Sequence, residues 1–144
     1  MYYNPDLLKS DEIRLVLDKK TEADPSKGWV LQYFFKIQRS DGTIVGVCSL
    51  RAGHNETTHC VGNIGYGVYE EFRGSHYAGK ACKLLLELAK KHGMGYVIIT
   101  CSPNNSPSRK TCEYAGGQLE DIFELPQNMR WNGETKKCRY RILL

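Results

Sequence analysis

The hydrophobic period changes near residue 69, and this change limits the fold more than any other feature of the sequence. Before it, four segments have the composition and alternation of strands: residues 12–19, 29–38, 43–51 and 63–69. After it, apolar residues over 78–93 recur at helical spacing, and cations followed by Gly93 form a helix stop. A run of strands followed by a helix predicts a chain that packs helices on a sheet.

The remaining elements continue that order. The unbroken apolar run 96–101 predicts a strand buried on both faces in a parallel pairing. Residues 106–115 predict a second helix with Pro107 in its first turn, and 119–125 and 138–144 predict two final strands. We interpret 20–28 and 52–62 as turns and loops. The order β-β-β-β-α-β-α-β-β predicts a mixed α/β (α+β) fold with a mostly antiparallel, twisted sheet of about six to seven strands.

Composition narrows the class of protein. With 144 residues, the chain predicts one domain, residues 1–144. It shows neither a membrane-spanning apolar run nor a signal peptide, which favours a cytoplasmic protein without a membrane partner. The net charge of +4 suits an anionic small ligand, whereas dispersed basic residues argue against nucleic acid. The six cysteines lack zinc-ligand spacing, so we expect reduced thiols, mostly in the core, and no metal.

The junction 69–81, YEEFRGSHYAGKA, joins a glycine-containing strand to the strongest helix. A glycine-bearing turn that opens a helix presents unpaired N–H groups and the positive end of the helix dipole. Arg73, Lys80 and Lys83 add positive charge nearby. The segment therefore predicts a phosphate site, although an ordinary strand-to-helix turn with solvated basic residues also fits.

One phosphate hypothesis is a P-loop, because residues 74–80 spell GxxxxGK. That motif needs Ser or Thr next to ligate Mg²⁺, and Ala81 stands there. The following apolar strand does not end in an acidic residue that could hold the metal either. A degenerate P-loop is thus the weaker interpretation.

The same residues resemble the acyl-coenzyme A loop of the GCN5-related N-acetyltransferases (GNAT), Q/R-x-x-G-x-G/A. Arg73 takes the first position and Ala78 the last, while His76 replaces the middle glycine. The elements that follow also match in order: a buried strand, an N-x-x-A/S motif at Asn105–Ser108, and E-x-x-G at Glu113–Gly116. The resemblance covers 63 to about 120 and implies a sheet splayed between its fourth and fifth strands.

The resemblance implies acetyl-CoA as cosubstrate and assigns residues to it. Backbone groups near Val68 and Tyr69 would hold the pantetheine arm, and the Val68 N–H would polarise the thioester carbonyl. Asn105 and Ser108 would face the arm, although Asn105 fits helix capping equally well. The pyrophosphate would lie on the loop formed by Arg73, Gly74, Ser75, His76, Tyr77, Ala78 and Gly79.

The general acid and the general base of the transfer each have more than one candidate. Many family members carry a Tyr seven residues after the Asn, and that position here is Cys112, which also fits as a core residue. Tyr114 is the nearest tyrosine and is a second candidate. Candidate bases are His54, Glu56, His59, Glu70 and Glu71.

The sequence therefore predicts an N-acetyltransferase that moves an acetyl group from acetyl-CoA to a primary amine of a small molecule or peptide. The alternative is a catalytically weak CoA-binding domain of the same fold. Only about ten residues, 20–28, separate the first two strands, where the family usually has two helices. We expect an acceptor side that is open, or one that is completed by a second subunit in a homodimer.

Overall fold

The structure, a computed structural model, describes residues 8–130 and 133–144. These residues form seven strands and three α-helices, so the predicted mixed fold and the upper strand count are confirmed. The strands are β1 (Ile13–Thr21), β2 (Gln32–Arg39), β3 (Ile44–Arg51), β4 (Ile64–Val68), β5 (Tyr96–Cys101), β6 (Gln118–Glu124) and β7 (Lys136–Leu143). The helices are α1 (Glu56–Val61), α2 (Tyr77–Lys91) and α3 (Ser106–Tyr114).

The sheet is built in two antiparallel parts, with strand orders β1-β2-β3-β4 and β5-β7-β6. Asn63, just before β4, joins them: its N–H donates to the Ile98 carbonyl at 2.6 Å, and its side-chain oxygen accepts from the Ile98 N–H at 2.8 Å. Within the described residues, no ladder continues beyond this contact. β4 and β5 therefore splay apart, as the resemblance implied.

The predicted parallel pairing of β5 is wrong. β5 pairs antiparallel with β7, from Tyr96 opposite Leu143 to Cys101 opposite Cys138. Its central residues are nonetheless buried on both faces. An apolar run reports this burial but not the direction of the neighbouring strand, so the run misled the prediction.

The core lies between α2 and the first sheet part and continues into the second, with buried residues from β5 and β7. Tyr33, Phe35 and Ile37 share the inner face of β2 and are each at most 1% exposed. Trp29, the first residue of the strand segment predicted at 29–38, lies before β2 and is 48% exposed. Leu85 and Leu88 of α2 pack into this core, and no described helix is long and apolar enough to cross a membrane.

Helix α1 lies in a segment that we predicted to be loop. Its six residues carry no apolar period, which explains why the sequence pattern did not reveal it. What holds the helix start is a capping box, in which the side chains of Asn55 and Thr58 each accept from the other's backbone N–H at 2.9 Å. The Asn55 side-chain amide also donates to the Gly28 carbonyl at 3.0 Å, which ties α1 to the β1–β2 connection.

Candidate active site

A cleft of about 860 Å³ opens where β4 separates from β5. Most of its lining comes from three segments: 66–68 of β4, 72–78 around the start of α2, and 105–114 of α3. The structure thus brings together most of the predicted site residues. The predicted residues in the lining are Val68, Arg73, Gly74, His76, Tyr77, Ala78, Asn105, Ser108 and Tyr114.

The loop before α2 presents a continuous set of free amide donors. Its backbone turns through left-handed conformations at Gly74 (φ 97°) and His76 (φ 61°). In the described part of the chain, none of the six N–H groups of residues 74–79 has a hydrogen-bond acceptor; the first helical bond is from Lys80 N–H to the His76 carbonyl, at 2.9 Å. Such an arc of donors at a helix start is an anion site.

The contacts of His76 explain how the loop tolerates a residue other than glycine at its middle position. A left-handed backbone costs a residue with a Cβ about 1–2 kcal/mol, and a ring contact offsets part of that cost. The His76 imidazole stacks on the Tyr114 ring with centroids 5.0 Å apart and planes 8° from parallel. The Cδ1–Cε1 edge of the same ring packs on Gly79, where any Cβ would overlap the ring. Ser75 and Gly79 are outside the cleft lining, although their N–H groups belong to the arc.

The two cations of the loop region, Arg73 and Lys80, form contacts within the protein. The Arg73 Nε donates to the Val68 carbonyl at 3.1 Å. Lys80 forms an ion pair with Glu12 and donates to the Ser75 carbonyl at 3.0 Å. In a P-loop this lysine reaches the phosphates; here it is turned to Glu12, so the geometry does not fit a P-loop.

The Val68 N–H points into the splayed side of β4. The Tyr69 N–H donates to the Val45 carbonyl at 2.9 Å, and hydrogen-bonded pairs alternate along an antiparallel ladder. The neighbouring pair, Val68 opposite Gly46, therefore directs its backbone groups away from β3. The N–H and carbonyl of Tyr69 are both used within the fold, because the carbonyl accepts from the Phe72 N–H at 2.9 Å. Tyr69 thus offers a ligand only its side chain.

Tyr66 reaches the position where the sequence had placed the acid. Its hydroxyl lies 2.6 Å from Ser108 Oγ and 3.9 Å from Cys112 Sγ. Burial raises the pKa of Tyr66 well above its usual value. Cys112 itself is fully buried and outside the cleft lining, and its hydrogen bond to Cys101, together with burial, raises the pKa of its thiol.

The sequence pattern did not reveal Tyr66 as a residue of the cleft. The residue belongs to a strand, and its partners on α3 are 42 and 46 positions away along the chain. The one local signal was the small thiol at position 112, where a larger side chain would compete for the same space.

The other polar candidates have defined places. Asn105 caps α3 by accepting from the Ser108 N–H at 3.1 Å, and it also lines the cleft, so both of its predicted roles fit the geometry. None of the five candidate bases lines the cleft. His54 instead stacks on Tyr96, with centroids 4.0 Å apart, and burial lowers its pKa. Within the described ranges no group of His, Cys, Asp and Glu side chains is arranged to hold a metal ion.

Comparison with known proteins decides the family. The sequence model of the "Acetyltransferase (GNAT) domain" family matches residues 1–118. The chain belongs to the GNAT family. The resemblance drawn from the loop and the element order is thereby confirmed, and this GNAT domain is an acetyltransferase. An "Uncharacterized N-acetyltransferase YnaD" of Bacillus subtilis is 25% identical over 134 residues, which are 91% of this chain and 74% of that protein.

Solved structures show the same fold. The crystal structure of the microcin C7 self-immunity acetyltransferase MccE, in complex with acetyl-CoA and AMP, has a TM-score of 0.64 at 22% identity and covers 78% of this chain. RimJ of Mycobacterium smegmatis, in complex with CoA-disulfide, also has a TM-score of 0.64 at 22% identity over 78% of this chain. This GNAT domain spans 61% of the length of the MccE chain and 53% of the RimJ chain.

Proposed function

We propose that this GNAT domain transfers an acetyl group from acetyl-CoA to a primary amine by direct attack of the amine on the thioester. The observation that carries the proposal is the arc of six free amides at residues 74–79, beside a cleft of about 860 Å³. The arc is suited to a pyrophosphate, and the cleft has the size of a small-molecule site.

The pyrophosphate lies on the amides of the arc, and the pantetheine arm runs along the splayed edge of β4. That edge offers backbone groups that β3 leaves unused, chiefly the N–H of Val68, since the Val68 carbonyl accepts from Arg73. Asn105 and Ser108 face the arm from α3, across the cleft. The chain thereby provides an anion site at one end and strand-like hydrogen bonding at the other.

The Val68 N–H stabilises the reacting carbonyl. When the amine attacks, negative charge develops on the thioester oxygen. A hydrogen bond from a fixed amide donor therefore stabilises the transition state more than it stabilises the bound thioester. Arg73 donates to the Val68 carbonyl at 3.1 Å. This contact fixes the peptide plane that follows Val68 and helps to hold the strand end in place.

Tyr66 donates a hydrogen bond to the departing thiolate. A phenol with a raised pKa keeps its proton over the working range of pH, so it acts as a donor rather than releasing its proton to the sulfur. Cys112 contacts the Tyr66 hydroxyl and helps to position it. Tyr114 supports the loop by stacking on His76. His76, the histidine of the cleft lining, is held in that stack, so we assign deprotonation of the amine to water.

Thermal unfolding of the reduced protein tests the proposal, with acetyl-CoA, CoA or ATP and Mg²⁺ as ligand. A ligand at a hundred times its Kd stabilises by about 2.7 kcal/mol, which is a shift of several degrees in Tm. We expect that shift with the CoA species and not with ATP. Release of thiol on adding amines then separates an acetyltransferase from the alternative, a CoA-binding domain with weak catalysis. The cytoplasmic location and the homodimer that we expect from the sequence remain predictions.

A further inference from the structure

A second concavity, of about 580 Å³, lies at the opposite end of β4 from the anion loop. We call it the β1–β2 pocket, because the connection between these strands forms one wall, including Trp29. Arg51 at the end of β3 and Asn55 before α1 form the other wall. In the family this connection usually holds two helices; here residues 22–31 hold only a short 3-10 turn, Pro25–Lys27.

The β1–β2 pocket has uncompensated positive charge. Three cations line it, Lys19, Lys20 and Arg51, together with one carboxylate, that of Glu22. Glu22 pairs with Lys20 at 3.2 Å. Among the described residues, neither Lys19 nor the half-buried Arg51 forms an ion pair with a carboxylate. The Lys19 ammonium lies 5.5 Å from the centre of the Phe34 ring, and Arg51 donates to the Gly62 carbonyl at 3.3 Å. A concave site with two such cations is suited to a carboxylate or phosphate.

A path of small side chains connects this pocket with the reacting end of β4. Arg51, Ser49 and Val47 lie on one face of β3, because alternate residues share a face. Gly65 stands opposite Ser49, and Gly67 stands opposite Val47. No atom lies within 4 Å of where a Gly67 side chain would begin. This face of β4 is thus open, and it is the face that α2 and α3 do not cover.

The length of this path indicates which class of acceptor can reach from the pocket to the reacting end of β4. Arg51 pairs with Asn63, and Val68 lies five residues further along β4. At about 3.4 Å per residue this is about 17 Å, the span of roughly five residues of extended chain. A small anionic amine is too short to occupy both ends. We infer that the acceptor is the amino terminus of an extended polypeptide with an acidic residue at about position five, bound by Arg51 and Lys19.

This inference rests on the proposed function, and a peptide series tests it. Three hexapeptides with an amino-terminal alanine differ only at residue five, which is glutamate, glutamine or lysine. We expect kcat/KM to be about tenfold or more higher for the glutamate peptide than for the lysine peptide, with a preference that falls as salt rises. Equal values for the three peptides would overturn the inference.

Substitutions in the β1–β2 pocket test whether this pocket causes the preference for the glutamate peptide. Arg51→Ala should raise the KM of the glutamate peptide about tenfold, leave that of the glutamine peptide nearly unchanged, and be partly rescued by Arg51→Lys. Lys19→Glu provides a second test, since it leaves the Arg51 contact with the Gly62 carbonyl intact. The exposed Lys91→Ala at the end of α2 is the matched control. Stabilisation by acetyl-CoA without transfer to any peptide would overturn this inference but leave cosubstrate binding standing; loss of both would remove the proposed function as well.

Discussion

The Tyr66 hydroxyl lies 2.6 Å from the Ser108 hydroxyl, and this contact joins β4 to α3 across the floor of the cleft. The two strands on either side of the cleft have no ladder to hold them at this point, so the bond fixes the width of the opening. The same hydroxyl lies 3.9 Å from Cys112. One phenol therefore joins β4 to α3, and it is also the group that we propose as donor to the departing thiolate.

Replacing Tyr66 by Phe removes the proposed donor while it keeps the ring. We expect kcat to fall about ten- to a hundredfold, because the departing thiolate loses a hydrogen bond. The KM for acetyl-CoA should change little. Steady-state kinetics with a single amine measures both values.

Tyr96→Phe is the control for this variant, since Tyr96 lies at the start of β5 beside His54. It should keep the activity of the parent protein. Unchanged kcat in Tyr66→Phe would show that the phenol only positions α3. Because the pKa of Tyr66 is raised, the parent protein should also show no loss of activity from phenol ionisation below about pH 10.

Gly79→Ala tests the packing that supports the loop. A Cβ at this position overlaps the Tyr114 ring, so the ring must move and its stack on His76 is lost. We expect destabilisation of about 1–3 kcal/mol, a fall of several degrees in Tm, and weaker binding of acetyl-CoA. Thermal unfolding with and without ligand measures both effects.

Two further variants separate this contact from a general effect of alanine. Gly95→Ala adds a methyl group where no atom lies within 4 Å, and it should leave ligand binding unchanged. In a Tyr114→Ala background the ring is absent, so Gly79→Ala should then cost little. An equal cost of Gly79→Ala in both backgrounds would rule out the contact as the cause.

Buried thiols make the fold sensitive to alkali. Burial raises the pKa of Cys82 from 9.0 to about 12. Above pH 9 the unfolded chain loses this proton while the folded protein keeps it, so stability falls as the pH rises, until about pH 12. For one such thiol the loss is on the order of 1 kcal/mol by pH 10.

Urea unfolding of the reduced protein at pH 8 and pH 10 measures this loss. Cys82→Ala should be less stable than the parent at pH 8 but should lose less stability between the two pH values, by on the order of 1 kcal/mol. Leu86→Ala removes apolar contacts of the same helix but no thiol, so this variant should lose as much stability as the parent does. The same pH dependence in all three proteins would argue against the buried thiol as its source.

Local patterns predicted most of the fold. The alternation of Tyr33, Phe35 and Ile37 reports one buried strand face, and the spacing of Leu85 and Leu88 reports one helix face. These patterns depend on neighbours in the chain, so a single sequence contains them. Helix α1 has no such pattern, because a capping box rather than a buried face fixes where it begins.

The site was predictable only where it is local. The loop of residues 74–79 is contiguous, so its donors could be inferred from glycines ahead of a helix. The contacts of Tyr66 with α3 and the stacking of His76 on Tyr114 join distant segments, and only the folded chain brings them together. The direction of the β5 pairing was missed for the same reason.

Calorimetric titration of acetyl-CoA and of acetyl-pantetheine, which lacks the pyrophosphate and the adenosine 3′-phosphate, combined with loop variants, tests the central claim most directly. Gly74→Ala strains the loop at φ 97°, and Gly42→Ala places the same strain at φ 91° in the β2–β3 turn. The amide arc predicts that acetyl-pantetheine binds at least a hundredfold more weakly than acetyl-CoA, and that Gly74→Ala alone weakens acetyl-CoA about tenfold or more. Equal affinities for the two ligands, or equal effects of the two substitutions, would contradict it.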